Sequence, residues 1–314
     1  MAGLEDCCTR FLRSASTLAT DNPFELGNQE AYRRWRDRKL GACAGDAGSN
    51  IIEIDNLYRL TPAELCEVKK ACRETNMAVY ACRCDDADTD KEAIRAFGRQ
   101  LGLLRFDRTL CADDQDVASV EVLPDGPGQE YIPYTNRPIN WHTDGYYNDS
   151  DHQVRGVVMH CVTPAASGGD SVLLDPEVVY IWLRDENPDY IAGLMQTDVM
   201  TIPANVQDGR VLRPERSGPV FSLGLAGSAL HMRYTARKRF VVWKNDPLTQ
   251  EAVGYLGARL GEPGSHQVNI RLQRDQGVVC NNVLHARKGF VDGSENTARR
   301  KLYRARYLER VAEA

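Results

Sequence analysis

The chain lacks the signatures that most often place a protein of its size. No Gly-x-Gly-x-x-Gly fingerprint, P-loop or Gly-x-Ser-x-Gly elbow occurs in its 314 residues, which excludes the common nucleotide-fold and serine-hydrolase readings. No apolar run approaches the ~18 residues that a membrane span needs. Glu5, Asp6 and Arg10 stand where a signal peptide carries its apolar core, so a cytoplasmic protein without a membrane partner is expected. Ten cysteines include no Cys-x-x-Cys pair. Cys7-Cys8 and Cys82-Arg83-Cys84 have the wrong spacing for a structural zinc site, and free thiols are expected. A net charge of -5 provides no general field for nucleic acid. The basic runs Arg33-Arg34-Trp35-Arg36 and Arg237-Lys238-Arg239 read as solvated faces or anion contacts.

No internal repeat is present, and residues 41–50 read as a small-residue loop after a short helix around Glu30–Leu40. Helix starts stand out at four places. Thr61-Pro62-Ala63-Glu64 and Thr89-Asp90-Lys91-Glu92 have the capping-box pattern, and Gly102 is placed to end the second helix. Asp175-Pro176 and Asp246-Pro247 place proline at the first helical position, with Pro188 beyond the end of the former. From about residue 115 strand patterns dominate: 154–162, 171–174, 267–272, 278–280 and 301–308. Turn residues separate them at Ser167-Gly168-Gly169-Asp170, Asp275-Gln276-Gly277 and Asp292-Gly293-Ser294. Strands without regular strand–helix alternation argue against a doubly wound sheet. The expected class is mainly β with flanking helices, a jelly roll or β-sandwich forming one domain over 1–314. Within it, 1–110 form a divergent helical/β part and 115–310 the core.

Histidine is scarce, six residues in all, and this makes Asn140-Trp141-His142-Thr143-Asp144-Gly145 informative. On an extended segment residues i and i+2 point to one side, so His142 and Asp144 can reach one ion. A His-x-Asp pair is short enough to arise by chance as a polar turn, and a third ligand must come from elsewhere. Asn281-Asn282-Val283-Leu284-His285 ends a strand that can deliver His285. His160 lies inside an apolar strand and reads as a core residue, whereas His152, His231 and His266 sit in polar or irregular sequence. Two imidazoles and one carboxylate hold a ferrous ion while leaving positions open for a chelating 2-oxo acid and for oxygen. Arg299, Arg300 and Arg304 follow closely, and an arginine fork suits a carboxylate. With period two, Arg300, Leu302 and Arg304 share one strand face. Tyr146 and Tyr147 directly follow the metal motif and are candidates for a pocket wall. Arg233, Tyr234 and Arg237, in the segment 230–243, are further candidates.

Trp-His-Thr-Asp at 141–144, Ser-Gly-Gly-Asp-Ser at 167–171, His285 and the Arg-Arg-x-x-x-Arg run at 299–304 together resemble the TauD/TfdA family of iron(II)- and 2-oxoglutarate-dependent dioxygenases. The resemblance spans about 130 to 308. It implies a double-stranded β-helix (jelly roll) core with iron held by His142, Asp144 and His285. It implies further that Ser171 and Arg300 bind the 2-oxoglutarate carboxylate, and that Arg304 faces the anionic group of a substrate. The implied reaction consumes oxygen and 2-oxoglutarate, releases succinate and carbon dioxide, and hydroxylates a carbon of a small anionic or zwitterionic metabolite. The carboxylate at 144 argues against halogenation, which needs that position free for chloride. Desaturation, cyclisation or C–C cleavage on the same scaffold, and a non-catalytic metabolite sensor, are the alternatives. A homo-oligomer is compatible with this reading.

Overall fold

The computed structural model describes residues 21–43, 50–83, 89–107, 116–123, 131–224, 227, 229–264, 266–293 and 299–311. The N-terminal acidic residues, Cys7, Cys8, Cys84, residues 44–49 of the expected loop, the 110–115 boundary and Ser294 lie outside them. The strands that build the two large sheets and one hairpin are labelled in chain order. They are β1 (Ile51–Ile54), β2 (Met77–Cys82), β3 (Val117–Val120), β4 (Ile139–His142), β5 (Gly156–Thr163) and β6 (Ser171–Leu174), then β7 (Asn205–Gln207), β8 (Arg210–Arg213), β9 (Val268–Ile270), β10 (Gln276–Cys280), β11 (Leu284–Arg287) and β12 (Lys301–Tyr307).

Six strands form one sheet in the order β1-β2-β10-β5-β12-β3, parallel only between β1 and β2. Four form an antiparallel sheet in the order β9-β6-β11-β4. Period two decides which side chains face inward. Met77, Val79, Val157 and Val278 of the large sheet join Leu173, Val268 and Ile270 of the small one in a single apolar cluster between the sheets. Their chain neighbours Ala78, Tyr80, Val158 and Val279 face the opposite way and are covered by helices. The expected β-rich sandwich is present, and the mainly antiparallel order is that of a jelly roll. β1 and β2 belong to the large sheet, so the N-terminal part contributes strands to the core as well as helices. Gly277 lies opposite Tyr80, where an added Cβ would meet the tyrosine ring, so the cross-strand tyrosine occupies the space of a side chain.

Helices α1 (Gln29–Cys43), α2 (Pro62–Thr75), α3 (Lys91–Gln100), α4 (Pro176–Glu186), α5 (Pro188–Leu194) and α6 (Pro247–Gly261) pack outside the sheets. Thr61 makes the capping box with Glu64 as its sequence predicts. At α3 the expectation fails by one residue. Asp90, not Thr89, accepts the Ala93 N–H, because a carboxylate at that position competes well for an orphan donor. Pro188 does more than stop α4. Asn187 caps a new helix, and Pro188 starts it. All six cysteines that can be described are free thiols. No helix among the described residues is long and apolar enough to cross a membrane.

Ile94 is fully buried between α3 and the outer face of the large sheet. Ile94→Ala is expected to lower unfolding stability by about 3 kcal/mol in urea denaturation. A loss below about 1 kcal/mol would mean that α3 is not docked as described.

Candidate metal centre and substrate pocket

β4 and β11 are antiparallel neighbours, and their register sets His142 directly opposite His285. The two rings lie 4.2 Å apart between centroids. Asp144 follows two residues beyond His142. One ligand atom from each of His142, Asp144 and His285 falls within 4.8 Å of the others. The sequence-predicted triad is therefore brought together, and no other such group of three occurs among the described residues.

The tautomers follow from the backbone. The Nδ1 atoms of His142 and His285 lie 2.9 Å from the carbonyls of Asn140 and Val283 respectively. A carbonyl only accepts, so each Nδ1 carries the proton and each Nε2 keeps its lone pair. Burial and the neighbouring His285 push the His142 pKa down to about 3, which keeps its ring neutral. Burial opposes ionisation of Asp144, but Arg304, then Arg306 and the two imidazoles outweigh it and hold the carboxyl well below its usual range. One carboxylate oxygen faces the Arg304 guanidinium at 3.4 Å. The other, Oδ2, is buried with no hydrogen-bond partner. Buried carboxylate oxygens are seldom left so. An ionised, half-satisfied carboxylate beside two imidazole lone pairs is the donor set that fits a ferrous ion.

Sequence reasoning missed the residue that aims Asp144. Asn282 has φ 51°, a left-handed turn at the entrance to β11. From there its Oδ1 accepts the Asp144 N–H at 2.8 Å and its Nδ2 donates to the carbonyls of Asp144 and Val154. The far edge of β4 is fastened by the segment 234–236, through Thr143 N–H to the Tyr234 carbonyl and Ala236 N–H to the Trp141 carbonyl.

A pocket of about 740 Å³ opens beside His142 and Asp144. Tyr146, Tyr147 and Arg304, expected at a substrate, all line it. Leu302, Arg304 and Arg306 alternate with Tyr303, Ala305 and Tyr307, which enter the opposite core, so the expected strand face is present. Arg306 was not anticipated, although the same period reaches it. It donates to the Tyr147 hydroxyl at 3.0 Å and pairs with Asp107. Of the segment 230–243, Arg237 lines the pocket. Arg233 is buried instead as a clamp on the carbonyls of Tyr146, Met200, Arg216 and Gly218, and Tyr234 is in the apolar core. Ser171 and Arg300 are brought together in a second, smaller cavity with Gly168 and Gly169. Arg300 is buried, and no carboxylate among the described residues lies within ion-pair distance of its guanidinium. Its Nε sits 3.4 Å from where a Cβ on Gly169 would be, and both glycines have positive φ.

The family model described as taurine catabolism dioxygenase TauD, TfdA family matches residues 80–306. A uridine-5'-phosphate dioxygenase from an Amycolatopsis species is 27% identical over 175 residues, covering 54% of this chain and 60% of that protein. Another from a Streptomyces species is 26% identical over 190 residues, covering 57% of this chain and 66% of that protein. The chain thus spans less than two thirds of either relative. An asparagine oxygenase solved with Fe(II), 2S,3S-3-hydroxyasparagine and succinate superposes with a TM-score of 0.57 at 14% identity, covering 78% of each chain, a likeness of fold.

Asn282→Gly keeps the left-handed backbone accessible but removes all three side-chain bonds. Anaerobic calorimetry is expected to show ferrous binding weakened about 10- to 100-fold. Unchanged affinity would show that Asp144 does not depend on this anchor.

Proposed function

The chain belongs to the TauD, TfdA family of iron(II)- and 2-oxoglutarate-dependent dioxygenases, and we propose that it hydroxylates an unactivated carbon of a small anionic metabolite. The observation that carries this reading is the approach of His142, Asp144 and His285 to within 4.8 Å, with Asp144 Oδ2 unsatisfied. These three residues would hold the iron. Bound iron supplies the oxygen chemistry: one O2, one 2-oxoglutarate and one C–H bond give succinate, carbon dioxide and one C–OH.

The protein's own residues do the rest. Arg304 keeps Asp144 ionised, and the two backbone carbonyls hold both imidazoles in the ligating tautomer. Ser171 and the buried Arg300, whose guanidinium forms no ion pair among the described residues, would receive the distal carboxylate of 2-oxoglutarate, the hydroxyl and the guanidinium fork acting as donors. Tyr146 packs edge-on to His142 and Tyr147 packs against Tyr146, forming a wall that excludes water from the target carbon. Six arginines against three aspartates in the pocket lining favour an anionic substrate. The similar proteins named for uridine 5'-phosphate make a phosphorylated nucleoside the leading candidate within that class.

The test needs no substrate. Ferrous protein titrated with 2-oxoglutarate without oxygen is expected to develop a weak visible charge-transfer band. The band should be lost in His285→Ala, and Arg300→Ala should need at least about tenfold more 2-oxoglutarate to reach it. Iron binding with no band would contradict the cosubstrate assignment.

A further inference from the structure

The pocket arginines divide into two groups. Arg216, Arg304 and Arg306 each have an acid partner, in Asp149, Asp144 and Asp107 respectively. Arg213, Arg237 and Arg239 line the same pocket, and no carboxylate among the described residues pairs with them. Arg213 closes the β7–β8 hairpin. Its guanidinium donates to the carbonyls of Pro203 and Pro214 and lies 5.7 Å from the Tyr147 ring centroid. Arg237 sits 4.1 Å from the Phe240 ring centroid and against the Tyr146 hydroxyl. Arg239 is exposed at the same mouth.

Stacking and carbonyl contacts fix the planes of two of these guanidiniums while leaving further N–H edges for a ligand. Arg213 and Arg237 each touch one of the tyrosines, and Tyr146 lies 6.5 Å from His142 between ring centroids. The cations are therefore set back from the candidate metal ligands by the thickness of an aromatic side chain. Burial and the adjacent Arg216 already disfavour the charge on Arg213. A single carboxylate would leave most of this charge unmatched, whereas a phosphomonoester carries close to two negative charges and three acceptor oxygens. Tyr131, Ile132, Pro133 and Phe240 add apolar and aromatic surface, Asn148, Asn205 and Gln207 add neutral polar groups, and the volume suits a drug-sized ligand.

We propose that Arg213, Arg237 and Arg239 form a phosphate subsite of the substrate pocket, separate from Arg304. It holds a phosphomonoester whose carbon skeleton extends along Tyr146 and Tyr147 toward His142, Asp144 and His285. The proposal rests on the dioxygenase reading for its catalytic meaning, but its binding test does not require iron.

The test is calorimetry on the metal-free protein with uridine 5'-phosphate, uridine and inorganic phosphate as probes. Wild type is expected to bind uridine 5'-phosphate or inorganic phosphate. Wherever the nucleotide binds, uridine should bind at least about tenfold more weakly. Arg213→Ala and Arg237→Ala should each weaken the phosphate-bearing probe about 10- to 100-fold, while Arg213→Lys keeps part of the affinity. The iron–2-oxoglutarate band should stay at its wild-type titration midpoint in these variants. Wild type that binds neither phosphate probe overturns the proposal, as do variants that bind them at full strength. Phosphate binding by a protein that shows no 2-oxoglutarate band would overturn the dioxygenase reading and leave the subsite standing.

Discussion

The pairing of β4 with β11 is the constraint on which the rest depends. It places His142 against His285 although the two lie in distant parts of the chain. Side chains alternate across a strand, so a slip of one residue would turn one imidazole to the other face. The register is held from both sides. β6 pairs with the other edge of β11, setting Leu173 opposite His285, and the segment 234–236 ties down the free edge of β4. Asn282 then reaches across to the Asp144 backbone, joining the segments that carry the candidate ligands a second time. The geometry of the centre is therefore a property of the small sheet and its borders.

Charge balance couples that sheet to the large one. Arg304 and Arg306 come from β12, whereas Asp144 follows β4, and they meet between the sheets. A buried carboxylate is costly without partners, and a buried guanidinium equally so. Arg304 offsets part of the Asp144 charge, and the remaining carboxylate oxygen is buried without a hydrogen-bond partner beside the two imidazoles. Arg306, Asp107 and Tyr147 form the adjoining network, which fixes the tyrosine that begins the pocket wall. Beyond that wall the arginines of the pocket lining outnumber the aspartates.

Much of this was legible in the sequence, for identifiable physical reasons. The candidate ligands stand out because a scarce histidine sits beside a carboxylate at strand spacing, and the face of Arg304 follows from period two. Strand 171–174 and the helix starts at Pro62, Pro176 and Pro247 were marked by local chemistry. What stayed hidden depends on contacts between distant segments. Asn282 reads as an ordinary polar residue until its positive φ and its reach to Asp144 are seen. Arg213 sits in a hairpin with no motif, and only the folded chain sets it beside Tyr147. β1 and β2 join β10 and so enter the core from a region whose sequence gives little sign of it. Arg306 was within reach of the same periodicity that led to Arg304.

The most direct measurement is the stoichiometry of ferrous ion bound without oxygen by the wild-type chain and by His142→Ala, with circular dichroism to monitor the fold. The account predicts one ion per wild-type chain and none held tightly by a folded His142→Ala. A folded variant that keeps its iron, or a wild type that binds none, would contradict the claim that the β4–β11 register builds a metal centre.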